Sequence, residues 1–439
     1  MHRRNLLKLG AAGLAAGLAP RCFAAPDAPL TAGGVADAWL ASLAIIEMAA
    51  TRARMLDPST PGQHAGLNAF QHTRKLIAAG DRAITTPNND TLYSNAFIDL
   101  SKGPVQLTIP RAGKRYMSVA IMDMFTNNNA VIGDRTDGGA EGDWRLVGPD
   151  SRQANPRDIK VATPHAWVLA RTLVDGPEDM AAAHKVQDGL KLVGPKAGPY
   201  PKYATRTDAW SDYFKSVDAL LKADPAPTQA GLAAFAALKA RSPTFDRAAL
   251  GPDADIIDKG VEQGKAIFGI GRARANSSGG WQYPRPALGD FGDDFRYRAA
   301  VAISGIGALV PAEAMYMRAE GDDGQLFRGD GLYKLSLPAE LPVNAFWSLT
   351  MYEATADGQF FFTDNPINRY SIGDRTRGVK KSANGGLDIW ISRTDPGGEK
   401  SANWLPAPKA GPYSMILRAY LPEPDLLQGR YKLPPIVKV

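Results

Sequence analysis

Val105-Gln106-Leu107-Thr108-Ile109 puts an apolar residue at every second position, and Met117, Val119 and Ile121 fall on one face in the same way. Side chains of a strand alternate between two faces, so both segments read as half-buried β-strands. Turn clusters such as Gly133-Asp134 and Gly138-Gly139 punctuate the run to about Val174, which predicts an antiparallel β-sandwich over residues 81–176. From Gly331 the pattern returns: Tyr333 to Leu337, Ala345 to Tyr352, Leu387 to Ser392 and Tyr413 to Leu421 alternate between Pro, Gly and Asn turns. They predict a second sandwich within 326–439.

Helical patterning fills the rest. Trp39, Leu43, Ile46 and Ala50 recur at helical spacing in the segment 25–80, where a second helix is predicted over Leu67 to Ala79. The connecting region 177–325 carries helical patterning or caps at Pro177 to Leu190, Asp208 to Leu221, Thr228 to Ala240, Ala254 to Ile270 and Asp293 to Leu309. The predicted class is mainly β with helical insertions, an α+β chain with two β-sandwich domains. One string occurs twice: Ile132-Gly133-Asp134-Arg135-Thr136 returns as Ile372-Gly373-Asp374-Arg375-Thr376. Two unrelated turns sharing Gly-Asp chemistry explain it, and so does a distant duplication of the sandwich.

The N-terminus bounds the compartment. Arg3-Arg4 precede leucines, Lys8 and the apolar run Leu9 to Ala19, and Cys22-Phe23-Ala24-Ala25 offers a small-x-small cleavage site. This predicts a twin-arginine signal peptide over residues 1–24, read by the twin-arginine export machinery and cleaved after Ala24, with a periplasmic or secreted mature protein. The chain's one cysteine, Cys22, leaves with the signal. No disulfide, thiolate nucleophile or cysteine metal site is then possible in the mature chain. Four of the 51 basic residues, Arg3, Arg4, Lys8 and Arg21, also leave, so 47 face 45 acidic residues. That balance gives nucleic acid no electrostatic grip. No later apolar run is long enough to predict a membrane span.

Walker loops, dinucleotide fingerprints, His-Glu-x-x-His and nucleophile elbows are missing, and nothing identifies a cofactor. The mature chain's histidines, His64, His72, His165 and His184, are not spaced with carboxylates as a metal site would be, so no metal is predicted. The densest polar run is Thr86-Pro87-Asn88-Asn89-Asp90-Thr91-Leu92-Tyr93-Ser94-Asn95. Asn88, Asn89 and Asp90 can bind a polar small molecule or glycan beside the Tyr93 ring, or they can close a hairpin through Asx turns. Asp90 and Asp123, with Tyr93, are the candidate acid–base groups of a hydrolase or lyase; a carboxylate paired with Arg115 is the structural alternative. Asn127, in a second amide-rich cluster after Asp123, and Arg115 are further candidate ligand contacts. In the C-terminal half Arg369 and Arg418 can clamp a carboxylate, and Trp404, before a proline-rich loop, is the candidate stacking surface. A third reading is a structural protein whose strand edges and aromatic loops build a homo-oligomer.

These strings also carry a resemblance. Thr86 to Asp99, Gly103-Pro104-Val105, Arg115-Tyr116, Asp123 and Thr126-Asn127 resemble the domain-of-unknown-function family 1254. Asn344 to Tyr352, Asn365 to Arg375, Asn403 to Pro408 and Gly411-Pro412 resemble family 1214, which accompanies it in bacterial envelope proteins and some algal-virus relatives. The resemblance implies two β-sandwiches, the C-terminal one jelly-roll-like, joined through helices. It implies no reaction.

Overall fold

A computed structural model describes residues 29–59, 66–82, 85–137, 141–198, 200–270, 277–321, 324–356 and 359–439. The predicted signal peptide and His64 lie outside these residues. Helix and strand each take 27% of the chain, so the α+β class holds with helix contributing as much as strand.

The first sandwich uses nine strands: β1 (Gln71–His72), β2 (Thr91–Asp99), β3 (Val105–Ile109), β4 (Met117–Asp123), β5 (Asn128–Gly133), β6 (Gly142–Val147), β7 (Asp158–Lys160), β8 (His165–Leu173) and β9 (Lys191–Val193). One sheet runs β1-β2-β8-β4-β5 and the facing sheet β7-β6-β3-β9. Between them lie Val105, Leu107, Ile109, Val119, Ile121, Ala166, Val168 and Ala170. β3 alternates as its sequence requires, whereas β8 is buried along its whole length. The cause is a second cover: Phe97, Ala120, Met122, Trp167 and Leu169 point away from the sandwich into a core shared with the helices. A sheet buried on both faces loses its alternation.

That cover is built around α1 (Ala32–Leu56), which is apolar nearly all round. Its length and composition would cross a membrane, but most of it is buried against the other helices and the sheet, as in a core helix. No helix forms over Leu67 to Ala79. Gln71 and His72 instead pair with Asn95 and Ser94, so the open edge of β2 takes that segment as a strand and overrides its local helical periodicity. In the connecting region Asp294 caps the helix Phe295–Ser304 by accepting from Tyr297 N at 2.9 Å.

The second sandwich begins earlier than residue 326. Its strands are β10 (Ser277–Ser278), β11 (Trp281–Gln282), β12 (Ala314–Ala319), β13 (Tyr333–Leu337), β14 (Val343–Ala354), β15 (Phe360–Phe361), β16 (Ser371–Gly373), β17 (Leu387–Ser392), β18 (Trp404–Pro406), β19 (Tyr413–Pro422) and β20 (Ile436–Lys438). One sheet runs β10-β11-β12-β19-β14-β15, with β16 also on β14, and the other β18-β17-β13-β20. Met315, Met317 and Ala319 of β12 pack into this core, so the region read as wholly helical supplies an inner strand.

Eight strands of each sandwich correspond one to one. β12-β19-β14-β16 repeats β2-β8-β4-β5, and β18-β17-β13-β20 repeats β7-β6-β3-β9. Even the exception agrees, for β6 with β7 and β17 with β18 are parallel pairs in otherwise antiparallel sandwiches. Register agrees as well. Arg171 stands between Tyr93 and Ser118, and Ser118 opposite Gly133; Arg418 stands between Tyr316 and Ser348, and Ser348 opposite Gly373. A Cβ on Gly133 would lie 2.5 Å from Met117 O, and one on Gly373 would lie 2.1 Å from Trp347 O. Both strings of the Ile-Gly-Asp-Arg-Thr echo therefore end equivalent strands at positions closed to any side chain, and the duplication reading explains the echo.

Candidate functional site

The polar run at residues 86–95 enters β2 along the seam between the sandwiches. Thr86 N donates to Phe360 O at 2.8 Å, Tyr352 Oη to Pro87 O at 2.5 Å, and Arg418 Nη2 to Thr86 O at 2.9 Å. Asn88 is buried: its Oδ1 accepts from Asp90 N at 2.6 Å, an Asx turn, and its Nδ2 donates to Tyr420 Oη at 2.8 Å. Asn89 Oδ1 accepts from Ser371 Oγ at 3.2 Å.

Asp90 is the hinge of the seam. Its Oδ2 accepts from Ser348 Oγ at 2.6 Å and its Oδ1 lies 3.2 Å from Arg375 Nη2. Arg375 also donates to Val174 O at 3.1 Å, lies 3.5 Å from Asp175 and stacks over Phe346 at 4.4 Å. The duplication places Glu313 where Asp90 stands, three residues before its β-strand tyrosine, and Arg135 where Arg375 stands. Arg135 Nε is 3.1 Å from Glu313 Oε2, and Tyr116 Oη donates to Oε1 at 2.8 Å. Each repeat thus sends its arginine to the other repeat's carboxylate, the reciprocal pattern of a two-fold interface. Burial pushes the Glu313 carboxyl up, against the pull of Tyr116 and Arg135.

The two copies differ in what surrounds them. Around Asp90 a cleft of about 220 Å³ opens, lined by Asn89, Asp90, Asp175, Ser348, Ser371, Arg375 and Arg377 among others. Around Arg135 the larger recess, about 330 Å³, is lined by Ala130, Val131, Ile132, Trp144, Ile159 and Val310. One copy mixes polar with apolar lining and carries both signs of charge; its counterpart is mostly apolar.

Several expected site residues lie elsewhere. Asp90 meets β8 beyond its end, at Val174, while Asp123 sits opposite Ala166, so the two carboxylates stand roughly 25 Å apart along the strands at about 3.3 Å per residue. They form no acid–base pair. Asp123 is fully buried and accepts from Phe125 N, Asn127 N, Asn127 Nδ2 and Asn129 Nδ2 at 2.8–3.2 Å, so it and Asn127 shape a turn. Arg115 pairs with neither of those aspartates: it grips Asp179, with Nη2 2.5 Å from Oδ1, and holds Leu173 O at 2.6 Å. Trp404 is 3% exposed and donates to Ser392 O, so it is no stacking surface. Arg369 is occupied by the carbonyls of Ala402 and Trp404 and fastens that loop. Arg418 lies inside the seam, not in a surface clamp.

Sequence reading missed Ser348, Ser371, Arg375 and Asp175. The repeated Ile-Gly-Asp-Arg-Thr string was the signal for Arg375, because its first copy ends beside a second seam carboxylate. A buried His165 was also missed as a fastener: its N and Nδ1 lie 2.8 and 3.0 Å from Asp224 Oδ1, tying the start of β8 to the end of helix Trp210–Ala223. Among the described residues no group of three or more His, Cys, Asp or Glu could hold a metal ion.

Comparison with known proteins agrees with this architecture. The chain is similar over 93% of its length to the crystal structure of the VPA0106 protein from Vibrio parahaemolyticus, with 23% identity, a TM-score of 0.67 and 99% of that chain covered. A putative uncharacterized protein from Burkholderia cenocepacia matches more distantly, at 15% identity and TM-score 0.45 over 91% of this chain and 88% of that one. No curated protein matches. Residues 67–194 match the protein of unknown function family DUF1254, and residues 313–424 match DUF1214. The chain belongs to the proteins that join a DUF1254 region to a DUF1214 region; the first spans the first sandwich, the second takes in β12 to β19 of the other, and the seam between them holds Asp90 and Arg375.

Proposed function

We propose that this is an exported protein that binds a small polar ligand in the seam cleft at Asp90. The observation that carries the reading is that a loop of one repeat, Asn89-Asp90, and a strand end of the other, Ser371 to Arg377, line one recess with hydroxyl, amide, carboxylate and guanidinium groups. Such convergence of polar groups from two units is how specific ligand sites are built. At about 220 Å³ the recess falls below the usual range of drug-sized pockets, which suits a molecule of monosaccharide or amino-acid size and not an oligosaccharide. Export is supported by Arg3-Arg4, the apolar run and the small-residue site at Ala24-Ala25.

Calorimetric titration of the full chain with monosaccharides, sugar acids and amino acids tests the binding. At least one class should bind saturably, and Ser371→Ala with Arg377→Ala, which line the cleft and are otherwise engaged by Asn89 and Glu178, should weaken it by tenfold or more, roughly one to two lost hydrogen bonds. A panel without any saturable heat, or binding indifferent to both substitutions, removes the cleft from consideration.

A further inference from the structure

Because the repeats share fold and register, each seam arginine has an internal control. Arg418 is closed: Nη1 donates to Thr350 Oγ1 at 3.0 Å, and Nη2 to Thr86 O and Pro87 O at 2.9 and 3.3 Å. Arg171 occupies the same place in the other repeat and is 6% exposed. Its Nη2 donates to Gly307 O at 2.7 Å, but its Nη1 is buried with no hydrogen-bond partner among the described residues. The reason is one substitution between copies. Thr350 faces Ile416 two residues from Arg418, whereas the equivalent position, facing Leu169 two residues from Arg171, is Ala120.

The Glu313 carboxylate lies within electrostatic range of Arg171, yet a buried guanidinium nitrogen left without an acceptor is still costly, and a persistent one calls for an explanation. The surroundings supply it. Tyr93 lies under the Arg171 guanidinium at 5.4 Å, and Tyr93, Asn95 and Tyr316 are only half-buried although they sit on the sheet faces turned toward the seam. Inward side chains of inner strands keep accessible surface only where a gap adjoins them. Tyr93 and Tyr316 are also both within electrostatic range of Arg171 and Arg418.

We propose that Arg171 Nη1 is the receptor for a small anion, held between the facing sheets beside Tyr93, Asn95 and Tyr316. One guanidinium nitrogen and phenol hydroxyls suit a single oxygen of a carboxylate or phosphate, with the tyrosine rings excluding water. This site is separate from the cleft at Asp90, which Arg171 and Tyr93 do not line.

The full chain titrated in a calorimeter with acetate, benzoate and inorganic phosphate decides the matter and distinguishes carboxylate from phosphate. Saturable binding of at least one is expected, weakened roughly tenfold to a hundredfold by Arg171→Met, as for one charge-assisted hydrogen bond, and several-fold by Tyr93→Phe. Ser371→Ala should leave it unchanged, which separates this site from the Asp90 cleft. If Arg171→Met fails to fold, Tyr93→Phe carries the test. No saturable heat from any of the three with the wild-type chain overturns the proposal, as does binding that Tyr93→Phe and Arg171→Met leave intact.

Discussion

At the residue level the seam rests on two carboxylates with swapped partners. Asp90 stood out in the sequence because it crowns a polar run, but nothing local names its partners: Ser348 is 258 residues away and Arg375 285. Asp90 is buried, and Arg375 is one-quarter exposed, so the pair is shielded from solvent enough to matter. Asp90→Asn keeps the shape but removes the charge that Arg375 needs. It should destabilise the chain by about 1–3 kcal/mol in urea denaturation, the range for a charged hydrogen bond. An unchanged midpoint would mean that Arg375 is held by Val174 O and Asp175 alone.

Among the elements, β8 depends on what is fastened to its ends. His165 and Asp224 hold its start, and at its exit Arg115 bridges Leu173 O to Asp179 in the turn Pro177–Asp179. Arg115 holds the Asp179 carboxyl below its ordinary value of 3.8, despite partial burial that acts the other way. A carboxyl with a lowered folded-state pKa adds stability above its unfolded pKa and loses it as pH falls through the folded value. The wild-type chain should therefore exceed Asp179→Asn by about 1–2 kcal/mol near neutral pH, with the gap closing as pH falls below the ordinary carboxyl value of 3.8. Parallel acid-unfolding curves would show that the pair contributes nothing. The unbroken burial of this strand follows from cover on both faces, which alternation in a single sequence cannot report.

For the whole molecule, duplication makes each sandwich the lid of the other. Phe346 stacks on Tyr420 at 4.1 Å, and Tyr116 of the first repeat meets both edge-on, at 5.5 and 5.2 Å. Residues 277–439 expressed alone would expose Phe346, Tyr352 and Tyr420 together with the unpaired Arg375. This fragment should bind a hydrophobic dye and self-associate in size-exclusion chromatography, as large exposed apolar patches do. A monomeric fragment melting with the full chain's cooperativity would show that the seam is not part of the folding unit.

By itself the sequence determined the strands that alternate, the helix made from Trp39, Leu43 and Ile46, and the two-sandwich plan; its one repeated pentapeptide left chance and duplication both open. Those features are local, set by side-chain period and turn chemistry. Tertiary structure alone decided that the segment at Leu67 to Ala79 becomes an edge strand, that Asp123 is a turn former far from Asp90, and that Trp404 is buried. It also decided which arginine meets which carboxylate across the seam. Each of these turns on contacts between residues far apart in the chain, where the cost of burying a charge or leaving a strand edge open outweighs any local preference.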